Sequence, residues 1–312
     1  MTEQSKTKKL AFVEVLVVVL VCLFILAILL LVGHRYRANA LRVECGKNLF
    51  EIGKATRVYT DDYEGEFPRA GGRNTIWSSR IPQWMAKNRF VAYGLPADGS
   101  SGKATITSSL YLLVKYAGVS PKSFVCPGDK GTTEFRPADE GVLDRELIDL
   151  WDFGPEPREH CSYSYHMPYG LYYYGPNPVY YGQFSLTTSS ESGMAITADP
   201  NPWISSPAGK GKDPFLLGRF NPYGDRKLIN IGNAITHQEN GQNVLFVDGH
   251  VGFEKSPFCG IDDDNIYTFW NGGDIRIGGY PVPGLTSPTD ILDSLLVNDG
   301  EGGVTPPPPP IR

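Results

Sequence analysis

The chain has 312 residues and a net charge of −5, with 29 Lys and Arg residues against 34 Asp and Glu residues. Gly (35 residues) and Pro (25 residues) are abundant, which favours short strands and ordered turns over long helices in most of the chain. Residues 1–50 carry a charge of +4, from seven Lys/Arg and three Glu, so the remainder carries −9. An acidic remainder excludes the basic surface that nucleic acids require, and we expect no nucleic-acid partner.

The first predicted element is an apolar stretch at residues 10–32, LAFVEVLVVVLVCLFILAILLLV. Its 23 residues contain one charged side chain, Glu14, and as an α-helix they would extend about 35 Å, against about 30 Å for a hydrocarbon core. The sequence therefore predicts a transmembrane helix over 10–32, preceded by a basic cytoplasmic leader at 1–9, with a lipid bilayer as partner. The stretch is too long for a cleaved signal peptide, so we expect it to be retained.

The helical periodicity continues beyond this stretch. Apolar and small residues recur at spacings of four and three, at Leu41, Cys45, Leu49, Ile52 and Thr56. This pattern predicts an amphipathic continuation of the helix over 33–62, so that one helix runs from Leu10 to about Tyr59. We expect residues 63–303 to form a loop-rich α+β ectodomain, and residues 304–312 to form a Pro-rich tail.

Three further elements are predicted within the ectodomain. Residues 110–116 (LYLLVKY) indicate a helix, and residues 194–199 (MAITAD) indicate a core strand. Residues 241–253 indicate a β-hairpin, in which Asp248-Gly249 is typical of a type I′ turn. The two residues are thus first a requirement of the turn and not a catalytic pair.

Three segments resemble one group of bacterial proteins. KKLAFVEVLVVVLV resembles the start of type IV prepilins and pseudopilins, in which Glu is the fifth residue of the mature chain, as Glu14 is when counted from Leu10. CGKNLFEIGKATRVYTDDYEGEFP resembles the helix end and first loop of the same families. HQENGQNVLFVDGHVGF resembles the H-x9-DG element of bacterial prepilin-like proteins, although here ten residues separate His237 from Asp248-Gly249.

This resemblance implies an α+β, pilin-like fold, in which a long N-terminal transmembrane-plus-amphipathic helix packs on an antiparallel β-sheet with long loops. It also implies a single-pass protein of the inner (cytoplasmic) membrane. The orientation is taken from the resemblance as well, because Lys and Arg counts alone do not set it. The N-terminus would be cytoplasmic and the ectodomain periplasmic or extracellular.

The function implied by the resemblance is that of a non-catalytic pilin-like or pseudopilin-like subunit in a type II secretion or type IV pilus-like assembly. Such a subunit would contact like subunits or other pseudopilins through its N-terminal helix. One alternative is a non-polymerising, tethered ectodomain that binds a surface partner. Another is a tethered hydrolase that uses His237 or His166, against which the lack of a recognised nucleophile or metal motif weighs.

The predicted processing and assembly residues are Lys9, Leu10 and Glu14. Lys9 stands where prepilins normally carry Gly. This departure weighs against cleavage before Leu10 and against methylation of the amine that cleavage would create. In assembling pilins the fifth-position Glu is thought to meet the N-terminal amine of a neighbour. Alternatively, Glu14 extends towards the membrane interface from about one turn inside the helix.

Four cysteines follow the apolar stretch, at positions 45, 126, 161 and 259. Four cysteines allow three connectivities, and the sequence alone does not choose among them. A disulfide from Cys45 in the helix to Cys126 at a strand end would leave Cys161 with Cys259 as the second pair. The alternative is four free, buried thiols.

Two metal sites are candidates. His237 with Asp248 and His250 matches no recognised spacing of metal ligands, so we expect His237 instead to hydrogen-bond the hairpin or a neighbouring loop. Asp262 and Asp264 offer carboxylate oxygens of the kind Ca²⁺ prefers, and major pseudopilins carry a C-terminal calcium loop. Alternatively, the run of Asp and Asn residues simply forms a turn, in which these residue types are common. We expect no cofactor other than Ca²⁺.

Overall fold

A computed structural model describes the backbone of residues 3–173, 179–181, 184–282 and 284–300. Side chains are described for the same residues except 3–15, 31, 34, 35, 171–173 and 179–181. The α-helices are α1 Glu3–Asp62, α2 Arg89–Tyr93, α3 Ile106–Ala117, α4 Pro214–Leu217 and α5 Arg226–Asn230. The strands are β1 Asn74–Trp77, β2 Ser101–Ala104, β3 Ser164–His166, β4 Leu171–Tyr173, β5 Val179–Tyr181, β6 Ala195–Ala198, β7 Gln242–Phe246, β8 Val251–Glu254 and β9 Leu296–Val297.

Helix α1 is a single element of 60 residues. It contains no Pro, and it ends where Glu64 and Gly65 adopt positive φ angles of 53° and 79°. The Gly65 N–H donates to the Thr60 carbonyl at 2.9 Å, as expected for a left-handed helix stop. The exposed and the packed parts of α1 are therefore joined without a loop.

Residues 16–30 of α1 are apolar and exposed around the whole helix. These 15 consecutive residues extend about 22 Å, less than the hydrocarbon core of about 30 Å. Among the described side chains, none of the helices has an apolar stretch of sufficient length to span a membrane. On this finding the predicted transmembrane helix over 10–32 and the single-pass location in the inner membrane are wrong. The side chains of Lys9, Leu10 and Glu14 lie outside the described residues, as does the Pro-rich tail.

The fold is α+β, and its centre is a five-stranded antiparallel sheet in the order β8-β7-β6-β3-β9. Alternate side chains of these strands enter two different apolar clusters, as the two-residue period of a strand requires. Side chains that share a cluster with helices α1 and α3 include Tyr165, Ile196, Leu245 and Val297. Side chains that pack on the other face, with Trp203 and Tyr267, include Ala198, Val244, Phe246 and Leu296. The two remaining sheets are small: β1 pairs with β2 in parallel, and β4 pairs with β5 in antiparallel.

The second half of α1 packs on this sheet through the predicted periodic residues. Cys45, Leu49 and Ile52 are fully buried, and each buried aliphatic side chain contributes about 1.5–3 kcal/mol. Gly53 brings the helix close to the sheet, because a Cβ at this position would lie 2.8 Å from a methyl carbon of Leu245. The sheet therefore holds the same helical face that the sequence pattern indicated.

The β7–β8 hairpin forms, but its turn differs from the predicted type I′ turn. Gly249 has φ 88°, whereas Asp248 does not have a positive φ. The Phe246 N–H donates to the His250 carbonyl at 3.0 Å, and the Gly249 N–H donates to the Phe246 carbonyl at 2.8 Å. The loop therefore has three residues, 247–249, with glycine in the left-handed position, a common alternative to the two-residue turn.

The N-terminus of α3 meets two buried carboxylates. Asp299 accepts hydrogen bonds from the Ile106 and Thr107 N–H groups at 3.1 and 2.9 Å. Asp152 accepts one from the Thr105 hydroxyl at 2.6 Å, and Thr105 is the N-cap of the helix. The side-chain oxygens of Asp299 and Thr105 satisfy donors in the first turn, where backbone N–H groups have no partner within the helix. Asp152 and Asp299, both distant from α3 along the chain, thereby hold the start of this helix in place.

Candidate functional site

Four buried side chains converge where α1 meets the sheet. Cys45 lies on α1, Cys126 follows the 3-10 helix Pro121–Phe124, Asp199 follows β6, and His237 lies in the turn before β7. Their sulfur, oxygen and nitrogen atoms all lie within 4.8 Å of one another. We refer to these four residues as the Cys-Asp-His cluster.

The distances within the cluster are those of direct contacts. The Cys45 thiol donates to Asp199 Oδ1 at 3.0 Å. His237 Nε2 lies 3.5 Å from Asp199 Oδ2 and 3.6 Å from Cys126 Sγ. The Tyr163 hydroxyl also contacts the Cys45 thiol, at 3.3 Å from Sγ.

Local sequence explains how two of these side chains reach the cluster. Cys45 lies one helical turn before Leu49, on the face of α1 that packs on the sheet. Gly128 leaves room for the imidazole, because a Cβ there would lie 3.0 Å from His237 Cε1. The N–H of Gly128 also donates to Cys126 Sγ at 3.3 Å. The CPG sequence thus both positions the thiol and admits the histidine.

His237 is held by a left-handed turn. Three consecutive non-glycine residues, His237, Gln238 and Glu239, have φ angles of 54°, 62° and 57°. Each such residue costs roughly 1–2 kcal/mol, so this conformation requires support from its surroundings. Asn233 Nδ2 donates to the Glu239 carbonyl at 3.0 Å, and the Lys212 ammonium lies 3.1 Å from the Glu239 carboxylate. This strained turn directs the imidazole towards the cluster.

The electrostatics of the cluster separate its two thiols. Burial raises the pKa of the Cys45 thiol, and its contacts with Cys126 and the Asp199 carboxylate raise it further. The neighbouring Cys45 thiol lowers the pKa of Cys126, and the contact with His237 lowers it further, against the opposing effect of burial. Burial lowers the pKa of His237, but the Asp199 carboxylate and Cys126 outweigh it and bring the pKa to about 10. Cys126 is therefore the more acidic of the two thiols, and it lies beside an imidazole that is protonated at neutral pH.

The arrangement differs from a nucleophilic Cys-His-Asp triad. In a triad one imidazole nitrogen contacts the nucleophile and the other contacts the carboxylate. Here Cys126 Sγ, Asp199 Oδ2 and the Asn243 amide nitrogen all lie within 3.6 Å of the same nitrogen, Nε2 of His237. Two sulfurs, one nitrogen and one carboxylate oxygen facing a common centre form a donor set that transition metals bind.

The structure separates the two ends of the H-x9-DG-like element. Asp248 and His250 are exposed at the hairpin turn, where His250 Nδ1 lies 2.6 Å from Asp248 Oδ1. Neither belongs to the Cys-Asp-His cluster, so a metal site made of His237, Asp248 and His250 does not form. His237 Nε2 instead lies 3.3 Å from the amide nitrogen of Asn243 in β7, so the imidazole contacts the hairpin, and the expected hydrogen bond between them stays a prediction. Gly249 occupies the turn position that requires a positive φ.

All five cysteines are free thiols in the structure. Cys45 and Cys126 are neighbours, as their predicted pairing requires, but they lie in the Cys-Asp-His cluster. Cys161 and Cys259 lie apart from it, and their thiols face the carbonyls of Tyr163 and Pro257 respectively. Sequence analysis did not identify Asp199, although an Asp at the end of a buried strand is a recognisable signal.

The predicted calcium ligands occupy different environments. Asp262 is exposed and has φ 52°, whereas Asp264 is buried and accepts a hydrogen bond from the Ser294 N–H at 2.8 Å. Burial and the neighbouring Asp293 carboxylate raise the pKa of Asp264 to about 8. Among the described residues, neither Asp262 nor Asp264 joins a group of three ligating side chains. Ca²⁺ binding at these residues stays a prediction.

Comparison with family models, curated proteins and solved structures found no match to this chain.

Proposed function

We propose that this chain is a non-catalytic structural subunit that packs against further copies of itself through helix α1. The resemblance of the N-terminal segment to pilin-like subunits suggested such a role. The observation that carries the proposal is the continuous apolar surface of residues 16–30, which no part of the described chain covers.

An apolar helix with no polar face is usually buried in a larger structure. Every described side chain from 16 to 30 is exposed, and Phe24 has 68% of its surface accessible. If neighbouring copies on several sides together covered about a dozen of these half-exposed side chains, the gain would be on the order of 10 kcal/mol. This gain is comparable to the total stability of a typical domain, and it therefore favours association.

The outer side of α1 continues this surface towards the sheet. Tyr36, Val43 and Phe50 are exposed and lie seven residues apart, on the side of the helix away from Leu49 and Ile52. A seven-residue apolar spacing is typical of helices that pack side by side. Exposed ion pairs between Glu44 and Lys47, and between Glu51 and Lys54, flank these three apolar residues. We call Tyr36, Val43 and Phe50 the outer stripe.

The histidines support a non-catalytic role over the hydrolase alternative. Burial lowers the pKa of His166 to about 4, and its Nε2 faces the Phe184 carbonyl at 2.9 Å. His166 is therefore neutral and enclosed at physiological pH. His237 makes its carboxylate and thiol contacts through one nitrogen, which leaves no separate nitrogen for a base within the cluster.

The chain carries its own probe for this proposal, because Cys22 lies in the apolar surface and its thiol is exposed. A short bifunctional maleimide applied to cells that produce the full chain should give a covalent dimer. We expect the Cys22→Ser variant to lose this dimer and the Cys259→Ser variant, altered at a partly buried thiol, to retain it. Cys22 that is readily alkylated but never cross-linked would overturn the proposal. Protection of Cys22 by phospholipid without a cross-link would assign the surface to lipid and would also overturn it.

A further inference from the structure

We infer that the Cys-Asp-His cluster binds Zn²⁺ as a closed structural site. The proposed ligands are the sulfurs of Cys45 and Cys126, Nε2 of His237 and a carboxylate oxygen of Asp199. The inference concerns the interior of the globular part, and it stands independently of how α1 associates.

The dimensions of the cluster suit a tetrahedral zinc ion. Zinc binds sulfur at about 2.3 Å and nitrogen or oxygen at about 2.0–2.2 Å, so neighbouring ligand atoms lie roughly 3.3–3.8 Å apart. His237 Nε2 lies 3.6 Å from Cys126 Sγ and 3.5 Å from Asp199 Oδ2, whereas Cys45 Sγ lies 3.0 Å from the other oxygen, Asp199 Oδ1. All four ligand atoms lie within 4.8 Å of one another, so small shifts of side chains bring them to bonding distance.

The chemistry of the ligands selects the metal. Thiolates and imidazole prefer zinc and other transition metals, whereas Ca²⁺ and Mg²⁺ take oxygen ligands. Four protein ligands, all buried, leave no position for water or substrate, which is the pattern of structural rather than catalytic zinc. Binding transfers the thiol protons of Cys45 and Cys126, and the Nε2 proton of His237, to solvent as the metal replaces them.

The surrounding hydrogen bonds already orient the ligands. The Asn243 N–H donates to Asp199 Oδ2 at 2.7 Å, and the Gly128 N–H donates to Cys126 Sγ at 3.3 Å. Outer hydrogen bonds of this kind fix the ligands of metal sites. The left-handed turn at residues 237–239 adds a second sign of a constrained site, because strain of this kind is concentrated at functional positions.

A metal at this point would join elements that are distant along the chain. Successive ligands are 81, 73 and 38 positions apart, and they come from α1, from a loop, from the end of β6 and from the turn before β7. Zinc would therefore fasten α1 to the sheet at the level of Cys45. A disulfide between Cys45 and Cys126 is the competing outcome, and it would remove both thiolates.

Elemental analysis of the full chain, purified anaerobically without chelator, is the first test. We expect about one zinc per chain, and replacement by Co²⁺ should give the visible bands of a tetrahedral site with a thiolate-to-cobalt charge-transfer band. The Cys126→Ser and His237→Ala variants should lose the metal, and the matched variant Cys161→Ser, altered at a buried thiol outside the cluster, should keep it. Metal retained in both cluster variants would overturn the inference.

A second measurement uses the unmodified chain, in case the cluster variants do not fold. Alkylation followed by peptide mapping should show that a chelator increases the labelling of Cys45 and Cys126 but leaves that of Cys161 unchanged. A cobalt spectrum without the charge-transfer band, free thiols with no bound metal, or a Cys45–Cys126 disulfide in the peptide map would each overturn the inference.

Discussion

The substitution Asp152→Asn should change how the stability of the protein depends on pH. Burial, together with the neighbouring Asp299 carboxylate, outweighs the hydrogen bond from Thr105 and raises the pKa of Asp152 to about 8. The unfolded value is about 3.9. Because the folded pKa is higher, the contribution of Asp152 to stability is fully present below about pH 4. It is lost as the pH rises through about 8.

The magnitude follows from the difference between the two pKa values. Each unit corresponds to about 1.4 kcal/mol, so the interval of about four units sets a contribution on the order of 5 kcal/mol. Asn cannot ionise, and its side chain has the same shape and still accepts the hydrogen bond from Thr105. The variant should therefore gain stability relative to the wild type between pH 4 and pH 9.

Denaturant unfolding, followed by tryptophan fluorescence at constant ionic strength from pH 4 to pH 9, measures this difference directly. Asp144→Asn, a substitution at an exposed carboxylate, is the matched control and should leave the pH profile unchanged. The reasoning would be refuted if the Asp152→Asn and wild-type profiles stayed parallel within about 0.5 kcal/mol, a spread typical of surface substitutions.

Four other substitutions test the packing, the assembly surface and the cluster. Leu245→Ala should lower the free energy of unfolding by about 2–5 kcal/mol in denaturant titrations, because it leaves a cavity beneath Gly53 of α1; a loss below 1 kcal/mol would contradict this packing. Phe50→Glu should weaken Cys22 cross-linking without changing the melting temperature, because Phe50 is exposed on the outer stripe; unchanged cross-linking would remove the stripe from the interface. Asn243→Ala should weaken zinc binding about 10–100-fold in competition titrations with a chromogenic chelator, because the Asn243 amide group contacts Asp199 and His237. His250→Ala should leave zinc content unchanged and shift stability by no more than about 0.5 kcal/mol, because His250 is exposed and contacts Asp248 at the turn.

The sequence indicated the local elements well because their signals are local. The four-and-three spacing of Cys45, Leu49 and Ile52 identified the packing face of α1, and the apolar run at 194–199 identified a central strand. The hairpin at 241–253 was also predictable, but its turn type was not. Asp-Gly is compatible with two-residue and three-residue loops, and only the pairing of Phe246 with His250 distinguishes them.

The Cys-Asp-His cluster was not predictable in the same way. Its members are separated by dozens of residues, and neither periodicity nor a short motif relates Cys45 to Asp199 or to His237. The sequence placed Cys45 beside Cys126 as a disulfide candidate, and the fold adds the carboxylate and the imidazole to that pair. Long-range placement depends on how the sheet and α1 pack, and one sequence does not encode that packing in a readable pattern.

The unbroken course of α1 has a mechanical consequence. About 22 Å of helix separates residue 30, at the end of the exposed apolar surface, from Cys45. Since no loop intervenes, a force applied to the exposed half is carried along the helix to the globular part, first at Arg42, whose guanidinium lies 4.4 Å from the centre of the Phe253 ring, and then at Cys45. From there the load divides, passing through Asp199 into the central strands and through Cys126 into the loop that follows Pro121–Phe124. A metal bound at that junction would cross-link α1 to the sheet and would determine the force at which the helix separates from the sheet.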